Sequence, residues 1–502
     1  MTVAAWEAHL PAGMRAEDLD LTAKESLPAA WASVWANSSG SPSLFSRAHG
    51  WITAGELEDA TRRVAGRLHG AGLGPGDRML FSAESSLELV IAHVAALRSG
   101  IVVVPANTGY RAREVAHIVS DARPKAALVD SDDRAAWVRA AAGAGTLVVG
   151  PEVDLPEHAA PRLDSAAPED PALIGYTSGT TGSPKGAVLS HANLLASSES
   201  VALAWRWSAA DRLVLALPLF HAHGLCVGLH GTLLAGASAV LLPRFEVDAV
   251  LDAVGEHGAS MFFGVPTMYH RLAQSPRVGE LAPLRLCVSG SAPLPAELHR
   301  SLGERCGQQV LERYGMTETL MLVSNPYDGE RRPGSVGFPL PGVELRLSGD
   351  GEGEIQVRGA NVFAGYWERP EATAESFLDR WFRTGDLATL DPEGYVRILG
   401  RSKELIISGG LNVYPREVEE VLLSHPDVAE VAVVATPSDE WGEVVTAFVV
   451  SAGDHRSPEP LLAFAAEQLA PFKRPRNLHF VDSLPRNALG KILKHELERR
   501  HP

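Results

Sequence analysis

The fold of this chain is decided by the stretch Gly175-Tyr176-Thr177-Ser178-Gly179-Thr180-Thr181-Gly182-Ser183-Pro184-Lys185-Gly186. It holds four glycines, five Ser or Thr hydroxyls and one lysine. An apolar run at 172–174 precedes it and predicts a strand, and a helix-like run at 191–195 follows it. Such a loop exposes backbone N–H groups and hydroxyls that can surround phosphate oxygens, and Lys185 adds a positive charge. The stretch therefore favours a phosphate-binding loop over an ordinary surface turn.

The order of these residues is not that of the Walker A loop, G-x-x-x-x-G-K-[ST]. Gly490-Lys491 does not form a Walker A loop either, because Pro485 stands where its first glycine belongs and Ile492 follows the lysine. The stretch instead resembles the signature loop of the adenylate-forming superfamily. That superfamily comprises acyl-CoA synthetases, adenylation domains of peptide synthetases, and luciferases.

Bulk composition restricts the class of partner and the compartment. The chain has 502 residues and a formal net charge of -16, which argues against nucleic acid as a partner because phosphate backbones need basic surface. Cys226, Cys287 and Cys306 lie far apart without metal-ligand spacing, which favours buried thiols in a reducing compartment. The N-terminus lacks the pattern of a signal peptide, and no apolar run is long enough to span a bilayer. We expect a soluble cytoplasmic protein without a membrane partner.

Strand and helix patterns alternate along most of the chain. Residues 78–81 and 101–105 read as strands, residues 87–97 as a helix, and residues 212–219 as a later strand. This alternation predicts parallel, doubly wound α/β sheets. The sequence predicts a large N-terminal domain, residues 1–400, with two such sheets and a small barrel-like part. Residues 401–502 then form a small, mobile α+β C-terminal domain of ordinary size.

Further segments match the superfamily in order, and the most specific of them is Glu312-Arg313-Tyr314-Gly315-Met316-Thr317-Glu318-Thr319. The resemblance implies that ATP, Mg²⁺ and coenzyme A are used. It assigns catalytic roles to Lys491, Thr317, Glu318 and Lys185, and the metal to Glu318 and Thr181. It assigns the nucleotide to Thr177, Ser178, Gly179, Thr180, Thr181, Gly182, Lys185, Gly290, Ser291, Ala292, Arg313, Tyr314, Gly315, Met316, Thr317, Asp386, Arg401 and Lys491.

The remaining motifs lie at the end of the large domain and in the small domain. Asp386 offers a carboxylate for the ribose hydroxyls, and Arg401 matches a ribose-contacting arginine of the family. Lys403 falls at the position of the family's hinge, about which the small domain is expected to rotate between two half-reactions. By analogy, Ser408, Gly409 and Gly410 leave room for the pantetheine arm of coenzyme A. Lys491 resembles the lysine that contacts the carboxylate and the α-phosphate during adenylation, and Lys494 stands where relatives often carry an arginine.

The acid substrate is predicted from fewer residues. His221, in the stretch 217–225, is the candidate for a polar acyl group, together with Ser289 and Met316. The two histidines of His221-Ala222-His223 could also bind a metal ion, but this interpretation is weaker because no third ligand is evident. The chain resembles the malonyl-CoA synthetase branch most. A dicarboxylate needs a cation for its second charge, and Arg271 is the first candidate, with Arg244 and Arg313 as alternatives.

We therefore expect an ATP-dependent acid–CoA ligase that makes malonyl-CoA and methylmalonyl-CoA through an acyl-adenylate, with release of AMP and pyrophosphate. Aryl or fatty acyl-CoA ligation is the nearest alternative. A carrier-protein-loading adenylation enzyme, a luciferase-like oxidase and a non-catalytic nucleotide sensor remain further alternatives. The pattern gives no preference between a monomer and a dimer.

Overall fold

A computed structural model describes residues 3–143, 145–177, 184–408, 410–438, 441–453, 456–486 and 492–500. They form two compact units. The first comprises Met1–Leu345 and Val357–Phe382, and the second comprises Arg346–Gln356 and Arg383–Pro502. The units are defined by internal contacts and not by function, so the predicted domain boundary after residue 400 stays a prediction.

Strands and helices are numbered along the chain. The strands of the described residues are β1 (Pro42–Ser46), β2 (Gly50–Thr53), β3 (Arg78–Ser82), β4 (Val102–Pro105), β5 (Ala126–Val129), β6 (Leu147–Val149), β7 (Pro171–Thr177), β8 (Lys185–Ser190), β9 (Arg212–Leu215), β10 (Ser238–Leu241), β11 (Met261–Gly264), β12 (Leu286–Ser289), β13 (Leu311–Met316), β14 (Leu320–Ser324), β15 (Phe338–Pro339), β16 (Glu344–Leu347), β17 (Glu352–Arg358), β18 (Gly365–Tyr366), β19 (Phe377–Leu378), β20 (Trp381–Leu390), β21 (Val396–Arg401), β22 (Ile406–Ser408), β23 (Leu411–Val413), β24 (Val428–Ser438), β25 (Gly442–Ser451) and β26 (Asn477–Phe480).

The α-helices of the same residues are α1 (Leu27–Ser38), α2 (Ala54–Gly70), α3 (Leu87–Arg98), α4 (Ala112–Ala122), α5 (Asp132–Ala142), α6 (His191–Ala204), α7 (His230–Leu234), α8 (Val247–His257), α9 (Pro266–Gln274), α10 (Ala296–Cys306), α11 (Pro370–Ser376), α12 (Pro415–Leu423), α13 (Pro458–Gln468) and α14 (Lys494–Arg500). None of them is long and apolar enough to cross a membrane.

The first unit contains two sheets. Within the described residues, one has seven strands in the order β18-β8-β7-β4-β3-β5-β6, and the other has nine in the order β15-β14-β13-β12-β11-β9-β10-β1-β2. Strands β3 to β7 pair in parallel, as do β9 to β13. The apolar run Val102–Val104 is at most 2% exposed, as expected for a parallel strand covered on both faces. The predicted pair of α/β sheets is confirmed.

Local sequence explains where the helices begin. Thr53 and Glu56 form a capping box that starts α2, and the Ser86 hydroxyl accepts the Leu89 N–H at the start of α3. The strand expected at 212–219 ends earlier, at Leu215. Pro218 has no N–H to donate to a sheet, and the chain instead leads into a seven-residue π-helix, His223–Leu229.

The second unit is α+β, as predicted. Its strands β22 to β26 form a sheet in the order β23-β22-β25-β24, with β26 parallel to β25. Helices α12 and α13 pack on an apolar core that includes Val418, Leu461 and Val433. Strands β16, β17, β19, β20 and β21 belong to a further five-stranded sheet, and β20 pairs antiparallel with β21. Strands β16 and β17 lie in the stretch 334–359, for which the sequence predicts the small barrel-like part, and the other three strands follow later in the chain.

Candidate functional site

The two ends of the glycine-rich stretch lie side by side in the first unit. Strands β7 and β8 are antiparallel, and Thr177 is paired with Lys185 in their register. The predicted phosphate ligands Ser178, Gly179, Thr180, Thr181 and Gly182 lie outside the described residues. The structure therefore describes the base of the predicted phosphate loop, with a hydroxyl on one strand and an ammonium group on the other.

Glu318 accepts hydrogen bonds at this base. The Thr177 hydroxyl donates to Glu318 Oε1 at 3.3 Å, and the Tyr366 hydroxyl donates to the same oxygen at 3.1 Å. Glu318 is 4% exposed. The ammonium of Lys185 lies 5.3 Å from the centre of the Tyr366 ring. Four residues from three separate parts of the chain therefore form one group that contains a buried carboxylate.

This group fits a magnesium ion. Mg²⁺ takes oxygen ligands and is usually held by one or two carboxylates together with substrate phosphates. Glu318 supplies one carboxylate, whose orientation is fixed by two hydroxyls, at the base of a loop suited to phosphate. Within the described parts of the chain, no three His, Cys, Asp or Glu side chains are grouped as metal ligands. The donors fit an ion that takes its other ligands from phosphate and water.

A cavity reaches Thr317, the residue before Glu318, and it is lined by residues that include Gly175, Thr317, His221, Ala222 and Phe220. Thr317 packs directly against Gly175, since a Cβ on Gly175 would stand 2.5 Å from Thr317 Cγ2. Glycine is required there because any side chain would displace the threonine. The cavity therefore extends from the predicted phosphate site to the predicted acyl site.

His221 lines the acyl end of the cavity, and His223 begins the π-helix that follows it. Burial lowers the pKa of His221 to about 4. Burial, with smaller contributions from Arg313 and His221, lowers the pKa of His223 far below its usual value. Among the described residues, His221 Nε2 and both ring nitrogens of His223 have no hydrogen-bond partner. Buried polar atoms are normally paired, so these nitrogens are available to a ligand.

Arg313 is the most unusual side chain in this region. It is 4% exposed, and burial lowers its pKa to about 9. Neither Nε nor Nη2 has a hydrogen-bond partner among the described residues. Its guanidinium lies against Gly290, where an added Cβ would stand 2.4 Å from the guanidinium carbon. The Ser289 hydroxyl is also buried and has no described partner. A buried, unpaired cation beside free polar atoms is suited to an anionic ligand.

The other predicted residues of the first unit follow the ends of parallel strands, where ligands of open α/β sheets bind. Ser289 ends β12 and is paired in register with Glu312 of β13. Tyr314, Gly315 and Met316 end β13 and are partly buried. A Cβ on Gly315 would stand 2.0 Å from the Leu320 carbonyl oxygen. Glycine is therefore required where β13 bulges against β14.

Ser291 and Ala292 lie in the turn after β12. Ser291 is exposed and has a φ of 69°, in the left-handed region that residues other than glycine rarely adopt. Such strain often accompanies functional turns. Arg271 lies apart from the buried polar atoms, because its side chain is exposed and its guanidinium stacks over Phe245 at 5.1 Å. Its assignment to the second carboxylate stays a prediction without support from these contacts.

In the second unit, Asp386 and Arg401 are paired. Arg401 Nε donates to Asp386 Oδ1 at 2.7 Å, and Asp386 is 4% exposed. The Thr384 hydroxyl accepts the Asp386 N–H at 3.1 Å and donates to the Ile355 carbonyl at 2.9 Å. The predicted ribose ligands therefore lie within reach of one another at the end of β21, and the carboxylate is held in place.

The predicted hinge and coenzyme A residues follow in the chain. Lys403 lies in the 3₁₀ helix Ser402–Glu404. Ser408 is buried and faces Leu411 across the β22–β23 hairpin, and Gly410 has a φ of 81°, which glycine tolerates best. Gly409 and Lys491 lie outside the described residues.

Lys494, three residues after the predicted catalytic lysine, is a half-buried cation held by two carboxylates. Its ammonium lies 2.8 Å from Glu419 and 3.5 Å from Glu404. Burial lowers the pKa of Lys494, but the two carboxylates together raise it above the usual value. It therefore ties the C-terminal helix to α12 and to the segment that holds Lys403.

The structure also finds residues that the sequence did not single out. Tyr366 comes to Glu318 from β18, and no local pattern marks it. The π-helix brings Cys226 to the cavity, and its close packing requires Gly224, where a Cβ would stand 2.5 Å from the Pro218 carbonyl oxygen. The glycines of this segment were the feature of the sequence that could have indicated this close packing. All three cysteines are buried and free, as expected.

Comparison with known proteins agrees with this geometry. Residues 31–367 match the family "AMP-binding enzyme", and residues 417–491 match "AMP-binding enzyme C-terminal domain". A feruloyl-CoA synthase from Amycolatopsis sp is 39% identical, over 89% of this chain and 94% of the relative. A malonate–CoA ligase from Arabidopsis thaliana is 36% identical, over 86% and 79%. The crystal structure of ATP-bound MatB from Rhodopseudomonas palustris superposes with a TM-score of 0.89 at 40% identity, covering 94% of this chain and 99% of that one. This chain belongs to the family of AMP-binding enzymes, as an ATP- and CoA-dependent acyl-CoA ligase of the adenylate-forming superfamily.

Proposed function

We propose that this ligase activates a small dicarboxylic acid, malonate or methylmalonate, as its acyl-adenylate and transfers the acyl group to coenzyme A. The observation that carries the proposal is the buried, unpaired guanidinium of Arg313. Its burial costs free energy in the absence of a counter-charge. A second carboxylate on the substrate would supply that counter-charge, and a simple fatty or aryl acid would not.

The groups around Arg313 support an acid with a short polar end. The Ser289 hydroxyl and the His223 ring nitrogens have no described partner and are suited to hydrogen bonds with carboxylate oxygens. Both histidines have lowered pKa values, so at neutral pH they carry no charge and Arg313 is the cation of the group. The malonate–CoA ligase relative and MatB fit this substrate class, while the feruloyl-CoA synthase relative keeps aryl acids as an alternative.

The reaction needs two anions to approach each other. In our proposal Lys185 and Lys491 offset the charge of the triphosphate and the attacking carboxylate, and Thr317 contacts the α-phosphate. The resulting alignment and charge neutralisation lower the barrier. Glu318 holds Mg²⁺, which when bound neutralises phosphate charge. Asp386 and Arg401 hold the ribose.

In the second half-reaction the thiol of coenzyme A attacks the acyl carbon and AMP leaves. We assign the pantetheine arm to Ser408, Gly409 and Gly410, and the hinge between the half-reactions to Lys403. Family membership as a ligase makes a non-catalytic sensor the weakest alternative. Loading of a carrier protein in place of coenzyme A remains a separate outcome of the test below. The cytoplasmic location stays a prediction.

The test is pyrophosphate release with malonate, methylmalonate, acetate, octanoate, benzoate and ferulate, each with and without coenzyme A. We expect malonate or methylmalonate to have the highest kcat/KM, and the acyl-CoA product to appear only with coenzyme A. A higher kcat/KM for octanoate, benzoate or ferulate would refute the dicarboxylate assignment.

The variants Arg313→Lys and Arg271→Lys form a matched pair, because each keeps a charge and changes one arginine. We expect Arg313→Lys to lower kcat/KM for malonate strongly, since lysine is shorter and cannot form the bidentate contact. Arg271→Lys should leave it within about threefold. If Arg271→Lys lowers kcat/KM for malonate more than Arg313→Lys does, the second carboxylate is assigned to Arg271 instead.

A further inference from the structure

Behind the predicted acyl site lies a second, apolar cavity. It is lined by side chains that include Phe81, Leu89, Val90, Val103 and Leu229. All five are at most 5% exposed, and Val90, Val103 and Leu229 are fully buried. The cavity therefore lies within the interior of the first unit, next to strands β3 and β4, helix α3 and the π-helix, and it is small, with room for about one water molecule.

The chemistry of this second cavity differs from that of the site beside it. Its polar side chain is His93, whose Nε2 is paired with His230 Nε2 at 2.9 Å. Burial lowers the pKa of His93 to about 3, so the ring is neutral in the physiological range. No lining side chain carries a charge. The space therefore suits hydrocarbon and excludes the anionic end of a dicarboxylate.

The two cavities share a wall. Pro105, Phe220 and Leu225 line both of them. Pro105 ends β4, and Leu225 lies inside the π-helix with 3% exposure, so the backbone fixes both. Phe220 lies in the turn between β9 and the π-helix, is only partly buried, and has its ring 4.8 Å from that of His221. It is the largest of the three side chains and the one not fixed by a regular element.

From this arrangement we infer that Phe220 is a specificity-determining residue that closes the acyl site to longer hydrocarbon chains. With the ring in place, the acyl site ends at His221 and Phe220. Without it, the space that the ring vacates joins the acyl site to the small apolar cavity beside Leu89 and His93. The inference rests on the proposed function only in taking the cavity that contains Thr317 and His221 as the acyl site.

The test compares Phe220→Ala with the unchanged enzyme on acetate, malonate, hexanoate and octanoate, by pyrophosphate release and by mass of the acyl-CoA product. We expect the kcat/KM ratio of octanoate to the best short acid to rise at least about tenfold, which is the smallest usual effect of one methylene in an apolar pocket. An unchanged ratio in a folded variant would overturn the inference. Phe220→Leu, which preserves packing better, should shift the same ratio in the same direction and decides the matter if the alanine variant does not fold.

Two control variants test whether the change in the ratio is specific to Phe220 or comes from a general loss of packing in the unit. Phe245→Ala removes an equal side chain from another cluster, where Phe245 packs near Phe262, and should leave the ratio unchanged. Leu89→Ala enlarges only the inner cavity and should have no effect alone, but should add to Phe220→Ala. An equal shift in Phe245→Ala would refute the role of Phe220. The ratio compares octanoate with the best short acid, whichever that is. The result can therefore be interpreted even if malonate is not a substrate.

Discussion

Replacement of Arg313 by methionine should stabilise the free enzyme and remove its use of malonate. The guanidinium is 4% exposed and has two nitrogens without a described partner. Methionine fills much of the same space without a charge. The two effects have opposite signs, which separates a binding role from a structural one. A structural arginine would instead destabilise the protein when it is removed.

The stability change follows from the pKa of Arg313. Burial lowers it from 12.5 to about 9, and each pKa unit corresponds to about 1.4 kcal/mol, which gives a cost on the order of 5 kcal/mol. The shorter side chain loses packing worth about 1–3 kcal/mol. We therefore expect a net stabilisation of about 2–4 kcal/mol, and a rise in Tm of about 3 °C or more for a unit of this size.

The sign of the pH dependence can also be stated. Below pH 9 both the folded and unfolded states carry the proton on Arg313, and the full cost of burial is present. Between about pH 9 and 12.5 the unfolded state binds more protons than the folded state, so stability rises with pH. The free energy of unfolding of the unchanged enzyme should therefore approach that of Arg313→Met as the pH rises above 9.

The loss of activity is set by the contact with the second carboxylate. Removal of one partner from a buried, hydrogen-bonded charge pair costs about 2–5 kcal/mol. At about 1.4 kcal/mol per tenfold, kcat/KM for malonate should fall by about 30- to 4000-fold. Acetate, which lacks the second carboxylate, should lose much less.

Thermal or chemical unfolding with and without malonate, together with kcat/KM for malonate and acetate, measures all of these quantities. Gly290→Ala serves as an independent variant, because its Cβ would stand 2.4 Å from the guanidinium carbon and would displace the charge without removing it. It should reduce malonate turnover more than acetate turnover. If Arg313→Met is destabilised and still uses malonate normally, the reasoning is refuted.

Three further predictions concern other parts of the chain. Tyr366→Phe removes one hydrogen bond to Glu318 and should raise the Mg²⁺ concentration for half-maximal activity about tenfold, with a parallel loss of Mg²⁺-dependent thermal stabilisation; an unchanged Mg²⁺ titration would exclude this positioning role. Lys491→Ala should cripple adenylation and spare thioester formation from supplied acyl-adenylate, and equal loss of both half-reactions would contradict its assignment. Burial lowers the pKa of His93 to about 3 and also lowers the pKa of its partner His230. Stability should therefore fall as pH drops below about 6.5, and His93→Phe should reduce that slope in unfolding measured from pH 7 to 4.

The pattern of residues predicted the fold class and the elements that carry it. The alternation of apolar strands and amphipathic helices predicted two α/β sheets, and the observed β3 and α3 differ from the predicted bounds by a single residue. Local pattern succeeds here because a parallel strand is buried on both faces and shows this as a continuous apolar run. It failed after Leu215, where the apolar residues 216–219 continue without a strand because Pro218 cannot join the sheet.

The candidate site was predicted in part. Glu318, Thr317 and Lys185 lie in one region of the first unit, and the roles that the resemblance gives them stay predictions, while Tyr366 was missed because it is 48 residues from Glu318 in sequence. Among the arginines, Arg271 was the first candidate and Arg313 an alternative. Sequence gives both the same charge, while the structure leaves Arg271 exposed on Phe245 and Arg313 buried without a described partner.

The sequence by itself determined that this chain folds into α/β sheets, and it predicts a phosphate-binding stretch, because apolar periodicity and glycine-rich loops are local properties of the sequence. Only the tertiary structure decided which cation is buried, which hydroxyls hold Glu318, and which residues line both cavities. Burial, desolvation and the sharing of a wall by two cavities depend on residues brought together from distant parts of the chain, and no local pattern records them.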